Sequence, residues 1–241
     1  MIELRHLSWD SAFFGLRIAR LEARQLLPTD IARIEAWCSQ DQIDCLYFLA
    51  DASEPESAAV AEAAGFERVD QRLTLEVAPL PVGSRLQRHV TRLATGDDVS
   101  ALDHIAGEAH RQTRFFNDVH FPRERCVELY RTWIRNDCSG SADAVWLCAD
   151  AKGPVGYVSC HLRPGALGEI GLLGVAERAR GQKYGQTLLA TSLGWLHDRG
   201  CTRARVVTQG DNLLARRLYE AAGFAVTSSQ FWYHWWPALR P

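Results

Sequence analysis

The sequence predicts an α/β (α+β) protein with a small N-terminal unit and a larger C-terminal one. Short apolar runs typical of strands alternate with segments of helical periodicity in both halves. The pentapeptide EAAGF occurs twice, at 62–66 and at 220–224. Between the two copies, residues 79–84 cluster proline, glycine and serine, which is typical of a linker. We therefore expect one domain over residues 1–80 and a second over residues 85–241.

The composition excludes several classes of protein. The 241 residues are 47% apolar and 23% charged, and the formal net charge of -2 provides no basic surplus for a nucleic-acid or membrane partner. The chain does not begin with a basic segment followed by an apolar one, and it has no apolar run of about 18 residues, so we expect a cytoplasmic protein. The seven cysteines form no CxxC pair and the histidines are scattered, so we expect no metal site.

The two EAAGF copies mark a repeated pattern of elements. The same offset of 158 residues also places Trp37 on Trp195, and the strand-like residues 45–50 on 203–208. Each copy is predicted to run helix, strand, helix, glycine, strand, with the glycine ending a helix in the left-handed conformation. A degenerate duplication of a small α/β unit explains this pattern, and chance matching in an alanine-rich chain is the alternative.

Only the second copy has a candidate anion-binding loop. A short apolar strand at 169–175 precedes the segment RGQKYG at 180–185, and residues 186–195 then have helical apolar spacing. A glycine-bearing loop between a strand and a helix presents free backbone N–H groups at the positive end of the helix dipole, where phosphate or pyrophosphate binds. The counterpart in the first copy, residues 22–27, has no glycine. We therefore expect a single active site.

Two motifs resemble those of the GCN5-related N-acetyltransferases (GNAT). The segment at 180–185 resembles the signature Gln/Arg-x-x-Gly-x-Gly/Ala, except that Lys183 stands where the family has glycine. The segment NLLARRLYEAAGF at 212–224 resembles the family's Asn-x-x-Ala-x-x-x-Tyr-x-x-x-Gly-Phe helix. The resemblance implies a central mixed sheet flanked by helices over residues 88–236, with the N-terminal unit as a degenerate half of that fold. It also implies an acyl-CoA N-acyltransferase with acetyl-CoA as cosubstrate.

Within this region, Asp97 or Asp98 is predicted to cap a helix over residues 99–109.

A narrower resemblance covers nearly the whole chain. The segments that resemble the dTDP-fucosamine acetyltransferases are LSWDSAFFG at 7–15, RF at 114–115, WI at 133–134, IGLL at 170–173 and TQ at 208–209. This resemblance implies acetylation of a nucleotide-activated amino sugar for a cell-surface polysaccharide, at the 4-amino group of dTDP-4-amino-4,6-dideoxy-D-galactose. Two alternatives stay open: an acetyltransferase for a peptide, polyamine or antibiotic amine, and a non-catalytic CoA-binding sensor.

The GNAT resemblance also implies roles for individual residues. Tyr219 is the candidate general acid, because a phenol is protonated at neutral pH; a core tyrosine is the alternative. Glu169 is the candidate base, and the alternatives are a solvent-facing glutamate and a sugar amine that needs no base. The residues implied to bind CoA through backbone amides, phosphate contacts or the pantetheine arm are Leu173, Gly174, Val175, Arg180, Gly181, Gln182, Lys183, Tyr184, Gly185, Asn212 and Arg217.

A nucleotide-sugar acceptor requires a flat aromatic surface for its base and cations for its diphosphate. The candidate residues for this site, each of which also suits the core, are Trp9, Phe13, Phe14, Arg114, Phe115 and His120. The aromatic tail at 230–236 is predicted to be a buried last strand that also suits a homodimer contact, and an aromatic cage for the base is the alternative.

Overall fold

The computed structural model describes residues 2–81 and 89–237. In the N-terminal half, the strands and helices are β1 (Ile2–His6), α1 (Ser8–Phe14), β2 (Ile18–Ala23), α2 (Pro28–Gln40), β3 (Cys45–Asp51), α3 (Pro55–Ala63) and β4 (Glu67–Val77). In the C-terminal half, they are β5 (Thr91–Leu93), α4 (Val99–Ala109), α5 (Arg114–Asn117), α6 (Arg123–Asn136), β6 (Ala144–Asp150), β7 (Gly153–Arg163), β8 (Leu167–Val175), α7 (Tyr184–Asp198), β9 (Arg203–Gln209), α8 (Leu213–Ala221) and β10 (Ala225–Trp235).

The helix predicted over residues 99–109 is confirmed with the same bounds. Asp98 occupies the N-cap position, as predicted, but among the described residues its carboxylate accepts hydrogen bonds from Arg92 and Thr95 and not from the helix. Asp98 therefore fastens the strand β5 to the start of α4.

Ten strands of the described residues form one sheet in the order β1-β2-β3-β10-β4-β9-β8-β7-β6-β5. The β2–β3 and β8–β9 pairs are parallel, whereas pairs such as β10–β3 and β10–β4 are antiparallel. The predicted mixed sheet with flanking helices is thus confirmed. The aromatic tail forms β10, the last strand of the chain, and this strand lies inside the sheet with both backbone edges paired.

The two predicted domains share this sheet, because β10 of the second lies between two strands of the first. Residues 82–84 of the predicted linker lie outside the described residues. Just before them, the Leu80 amide donates to the Thr202 carbonyl at 3.2 Å, which ties the end of the first predicted domain to the second. The boundary between residues 80 and 85 stays a prediction.

The offset of 158 residues relates the observed secondary-structure elements of the two halves as well as their sequences. It maps three elements of the first half onto three of the second with identical bounds: β3 onto β9, α3 onto α8 and β4 onto β10. Gly65 and Gly223, which follow α3 and α8, both have positive φ, at 85° and 90°. The next amide then donates back to the helix in both copies, from Phe66 to Ala61 at 3.0 Å and from Phe224 to Tyr219 at 3.1 Å. These matches support the predicted duplication, which stays a prediction.

The offset also places the end of α2, Gln40, on the end of α7, Asp198, but it fails ahead of these two helices, where the second half has extra residues. In the parallel pairs, Ile18 faces Cys45 in the first half and Leu167 faces Arg203 in the second. Ile18 and Cys45 are 27 residues apart in the chain, whereas Leu167 and Arg203 are 36 residues apart. The second connection is therefore nine residues longer, and it contains the predicted anion-binding loop.

Helices pack on both faces of the sheet. On one face, α7 and α8 pack against β4, β8 and β9, and α2 and α3 pack against β2 and β3. On the other face, α1, α4, α5 and α6 surround an aromatic cluster that includes Phe14, Phe115 and Phe121. No helix within residues 2–81 and 89–237 has the length and apolar character that a membrane span requires.

Candidate active site

The largest cavity near the predicted loop is a wedge between the parallel strands β8 and β9. These strands pair at four positions, from Leu167 opposite Arg203 to Ile170 opposite Val206. Beyond that point they separate, and residues 171–175 and 207–209 line opposite walls of a cavity of about 760 Å³. Because β8 and β9 no longer pair there, backbone N–H and C=O groups that point into the wedge are free to bind a ligand.

A β-bulge in β8 coincides with the point of separation. Gly171 and Leu172 together oppose the single residue Ser159 of β7, and the Leu172 amide donates to Ser159 Oγ at 2.8 Å. A bulge of this kind bends the strand and increases its twist. Gly171 is required there, since an added Cβ would lie 2.6 Å from both Ser159 Oγ and His161 Nε2.

The predicted loop connects the wedge to the N-terminus of α7. The turn uses positive φ at Gly181, 76°, and at Lys183, 69°, after which the helix begins at Tyr184. His89 packs against the loop. Its ring stacks on Tyr184 with centroids 3.9 Å apart, and its Nε2 donates to the Gln182 carbonyl at 2.8 Å. The amides of the first turn of α7 have no acceptor within the helix, as at every helix N-terminus.

The predicted CoA-binding residues divide into two groups. Those that line the cavity are Leu173, Gly174, Val175, Arg180, Gly185 and Asn212. The others do not line it: Gly181, Gln182, Lys183 and Arg217 are exposed, and Tyr184 is buried in the core.

Asn212 has a structural role in addition to its place on the cavity wall. Its Oδ1 accepts the Ala215 amide at 3.1 Å and so caps α8. The side-chain NH₂ group, a donor, is then the part of Asn212 that can bond a ligand.

Tyr219 lies on α8 and lines the same cavity. Only 5% of its surface is exposed, and its ring packs 5.7 Å from that of Phe224, the last residue of the second EAAGF. Burial raises the pKa of the phenol above its usual value, so the hydroxyl remains protonated over the whole range of ordinary enzyme assays. A tyrosine on the cavity wall whose hydroxyl keeps its proton can act as a proton donor.

Glu169 has an environment that argues against the predicted role of base. It is absent from the cavity lining and forms ion pairs with Arg163 at 2.8 Å and with Arg205 at 2.6 Å. Burial opposes its ionisation, but the hydrogen bonds from these two arginines outweigh that effect and lower the pKa of the carboxyl. A base must lie within reach of the proton it accepts and must bind that proton well, so the position of Glu169 and its two arginine partners both argue against that role.

The far end of the cavity is lined by residues that the sequence did not single out as functional. His110 ends α4, stacks on Tyr130 with centroids 4.8 Å apart, and shares a hydrogen bond of 2.9 Å between its Nε2 and the Tyr157 hydroxyl. Burial lowers the pKa of His110 to about 4, so the imidazole is neutral at pH 7. Trp133 also lines the cavity. A single histidine after a helix matches no sequence motif, so only the fold shows that His110 lines the cavity.

The six predicted acceptor residues lie outside the cavity lining. Phe14 and Phe115 are buried in the aromatic cluster, which argues against ligand contact. Trp9, 45% exposed, stacks on Phe13 with centroids 5.2 Å apart. The His120 ring pairs with Asp118 at 2.9 Å.

Arg114 is held by aromatic rings. Its guanidinium carbon lies 4.1 Å from the ring centre of Tyr47 and 4.2 Å from those of Phe115 and Trp232. Its Nη1 donates to His234 Nε2 at 3.0 Å, and His234 Nδ1 in turn donates to Asp118 at 2.6 Å. This chain fixes the neutral tautomer of His234 and the position of Arg114.

Metal ligands are not grouped in the described part of the chain: no cluster there has three His, Cys, Asp or Glu side chains placed to hold an ion.

Comparison with known proteins gives consistent results. Residues 101–224 match the profile of the Acetyltransferase (GNAT) family. The chain is 30% identical over 238 residues to "dTDP-fucosamine acetyltransferase" of Escherichia coli O6:H1, covering 94% of this chain and 95% of that protein. It is 30% identical over 141 residues to "Spore coat polysaccharide biosynthesis protein SpsD" of Bacillus subtilis, covering 58% and 48% of the two chains. A GCN5-related N-acetyltransferase structure from Sphaerobacter thermophilus superposes with a TM-score of 0.67 at 17% identity, covering 100% of this chain and 77% of that one, which indicates a shared fold.

Proposed function

The chain belongs to the Acetyltransferase (GNAT) family and is an acyl-CoA N-acyltransferase, and on that premise we propose that it acetylates the amine of a nucleotide-activated amino sugar. The proposed acceptor is dTDP-4-amino-4,6-dideoxy-D-galactose, and the proposed donor is acetyl-CoA. The observation that supports this proposal most strongly is how much of the chain is similar to one relative. The family profile matches only residues 101–224, whereas the similarity to dTDP-fucosamine acetyltransferase includes the N-terminal half.

The wedge suits acetyl-CoA in shape and in chemistry. The loop at 180–185 and the first turn of α7 offer backbone amides and the Arg180 guanidinium for phosphates. The separated strands offer unpaired backbone groups at 171–175 for the pantetheine arm, and the Asn212 side chain offers an amide donor. Gly185 faces the cavity, where an added Cβ would make only ordinary contact, at 3.6 Å from Leu218 Cδ2. Acetyl-CoA supplies the thioester carbonyl that the acceptor amine attacks.

The chain's own residues then have distinct tasks. Backbone amides around residues 173–175 polarise the carbonyl, since β8 pairs there with no strand of residues 2–81 and 89–237 on the side away from β7. Tyr219 donates the proton that the departing thiolate needs. Glu169 is not retained as the base. A sugar amine with a pKa near neutrality loses its proton to water, while His110 on the cavity wall stays neutral at pH 7.

Mass spectrometry of reaction products tests this function. Purified protein would be incubated with acetyl-CoA and a panel of dTDP- and UDP-linked amino sugars, free amino sugars, polyamines and peptides. We expect an added acetyl group on a nucleotide-linked amino sugar and none on the peptides or polyamines. Acetylation of a peptide or polyamine alone would refute the acceptor class. Calorimetric binding of CoA without turnover of any amine would favour the CoA-binding sensor instead.

A further inference from the structure

A half-exposed polar surface of the sheet adjoins the active-site cavity. Gln209 of β9, which lines the cavity, faces Arg72 of β4, and Arg72 faces Gln230 of β10. Trp232, two residues further along β10, faces Asp70. Residues directly opposite each other in antiparallel strands point to the same face, so these side chains share one surface. A ligand can therefore pass from the cavity over β4 to β10 without crossing the sheet.

Three arginines converge on this surface from separate parts of the chain. The guanidinium carbons of Arg20 and Arg114 lie 5.5 Å and 4.2 Å from the same Trp232 ring. Arg72 donates from Nη1 to Gln230 Oε1 at 2.8 Å, two residues from Trp232. Burial lowers the pKa of Arg72, and the positive charges of Arg205 and Arg20 lower it further, against the opposing effect of Glu169. The same combination of burial and neighbouring cations, Arg114 among them, lowers the pKa of Arg20 against the opposing effect of Glu22.

Within the described residues, Arg72 and Arg114 lack the carboxylate partners that other arginines have, and Arg20 has only a distant one. Across residues 2–81 and 89–237, Arg72 and Arg114 form no ion pair, and Arg20 approaches Glu22 only to 3.8 Å. The Arg20 Nε atom is buried and has no hydrogen-bond partner in that part of the chain. By contrast, Arg205 on the same surface is paired with Glu169 at 2.6 Å.

Two carboxylates near Arg114, Asp10 and Asp70, act on the cluster from a distance. Burial raises the pKa of Asp70 to about 6, against the opposing effect of the backbone amides of Gln71 and Arg114. Asp10 and Asp70 influence Arg114 electrostatically but form no ion pair with it in the described residues. Partly buried cations held together without counterions cost free energy, and a bound anion would recover it.

We infer that this surface binds the diphosphate of the nucleotide-activated acceptor, with Arg20 and Arg72 as its ligands and Arg114 as a third cation held against Trp232. The inference rests on the proposed function and adds a location for the acceptor. Neighbouring strands lie about 4.8 Å apart, so Arg72 is one strand and Trp232 two strands from the cavity wall at Gln209. A diphosphate at the arginines leaves room for one sugar ring to reach the cavity. The amine then points towards the wedge, and the nucleoside extends over β10 and β3.

Calorimetry with dTDP on CoA-saturated protein tests the site, because CoA keeps dTDP out of the loop at 180–185. We expect Arg72→Gln and Arg20→Gln each to weaken dTDP binding by tenfold or more, while Arg72→Lys, which keeps the charge, loses less. Arg203→Gln is the matched control: it also removes one charge from the sheet, at the far end of β9, and should change affinity less than twofold. All variants should keep the wild-type CoA affinity and thermal midpoint.

Two results would overturn the site. One is a double variant, Arg20→Gln with Arg72→Gln, that binds dTDP within twofold of wild type. The other is dTDP binding that saturating CoA abolishes, which would place dTDP in the donor site.

Steady-state kinetics separate this inference from the proposed function. With a nucleotide amino sugar that the wild-type protein acetylates, the KM for the acceptor should rise at least tenfold in Arg72→Gln and Arg20→Gln, and the KM for acetyl-CoA should stay unchanged. An unchanged acceptor KM would refute the arginine site and leave the function intact. Acetylation by wild type of amines that carry no nucleotide, and of no nucleotide sugar, would refute both.

Discussion

Arg72 and Gln230 face each other across the β4–β10 ladder, joined by a hydrogen bond of 2.8 Å, and they are 158 residues apart in the chain. The same interval separates the two EAAGF copies and relates Gln71 to Ser229, which also bond, at 2.9 Å. Equivalent residues of the two copies therefore meet in the middle of the sheet, as they would around a local twofold axis. Such an axis explains why the last strand of the chain lies between β3 and β4.

The two halves of this arrangement have different tasks in our proposal. The parallel pair β2–β3 holds together over four positions, as β8–β9 does, and a second cavity of about 480 Å³ lies beyond it, lined in part by Arg20 and Leu49. The connection between β2 and β3 is too short to contain the anion-binding loop. In the first half, Arg20 and Arg72 provide the positive charges for anion binding instead. We propose that one half holds the donor and the other holds the acceptor.

Replacing Tyr219 with Phe tests the proton donor. The change removes one hydroxyl and keeps the ring that packs on Phe224, so we expect an unchanged fold and CoA affinity and a fall in kcat of about 10²-fold, the lower end of general acid effects. Because the pKa of Tyr219 is raised, wild-type activity should show no loss from this group up to about pH 10. If Tyr219→Phe keeps more than half of the wild-type kcat while chemistry limits the rate, Tyr219 is not the proton donor and serves only in packing.

Replacing Glu169 with Gln tests the base. The residue pairs with Arg163 and Arg205 away from the cavity, so we expect kcat within about threefold of wild type and a loss of stability of about 1–2 kcal/mol. Glu76→Gln, which removes a carboxylate from the same surface, is the control. Thermal denaturation and steady-state rates provide the two measurements. A fall of a hundredfold in kcat for Glu169→Gln alone would restore Glu169 as the base.

Two substitutions at Gly185 test the donor site. Gly185→Ala adds a Cβ that meets Leu218 Cδ2 at an ordinary 3.6 Å, so the fold should be unaffected and CoA affinity should fall by less than about tenfold. Gly185→Asp adds a carboxylate where phosphate is expected, and we expect a loss of at least about a hundredfold, or 2.7 kcal/mol. Calorimetry with CoA measures both. Equal affinities for the two variants would contradict a phosphate site at the N-terminus of α7.

Two substitutions at Lys183 separate its backbone from its charge. Lys183 has a φ of 69°, a conformation that suits glycine better. Lys183→Gly should therefore raise stability by about 1 kcal/mol, whereas Lys183→Met should not. If the ammonium attracts phosphate, both variants should bind CoA about threefold to tenfold more weakly. Full affinity in Lys183→Met would show that the charge has no part in binding.

The pH dependence of stability tests the buried histidines. Burial lowers the pKa values of His110 and His234 to about 4, below the unfolded value of 6.5. Between these values the unfolded chain binds more protons than the folded one, so stability is full above pH 6.5 and falls as the pH drops towards 4. We expect a loss of about 2–3 kcal/mol per histidine across this window.

Thermal melts at a series of pH values measure this effect. His110→Gln should flatten the profile, and His104→Gln, at an exposed position, should leave it unchanged. A wild-type profile that is level from pH 6.5 to 4 would contradict neutral buried histidines.

Much of the site could be read from short segments. The loop at 180–185 and the helix at 212–224 were predicted because their turns, caps and apolar spacing depend on residues that are close in the chain. Tyr219 and Asn212 were predicted within that helix, and both line the cavity. The β8 bulge at Gly171 was not predicted, since it depends on the partner residue Ser159 in β7.

The sequence by itself determined the class of fold, the repeated elements and the loop that marks the donor site. Only the tertiary structure decided that β10 lies between β3 and β4, and that Glu169 pairs with Arg163 and Arg205. It also decided that Arg20 and Arg114 meet at the Trp232 ring, with Arg72 bonded to Gln230 on the same strand. Periodicity and turn chemistry act over a few residues and leave a local trace in the sequence. Strand order and the pairing of distant charges depend on which surfaces meet when the whole sheet forms, and no short segment contains that information.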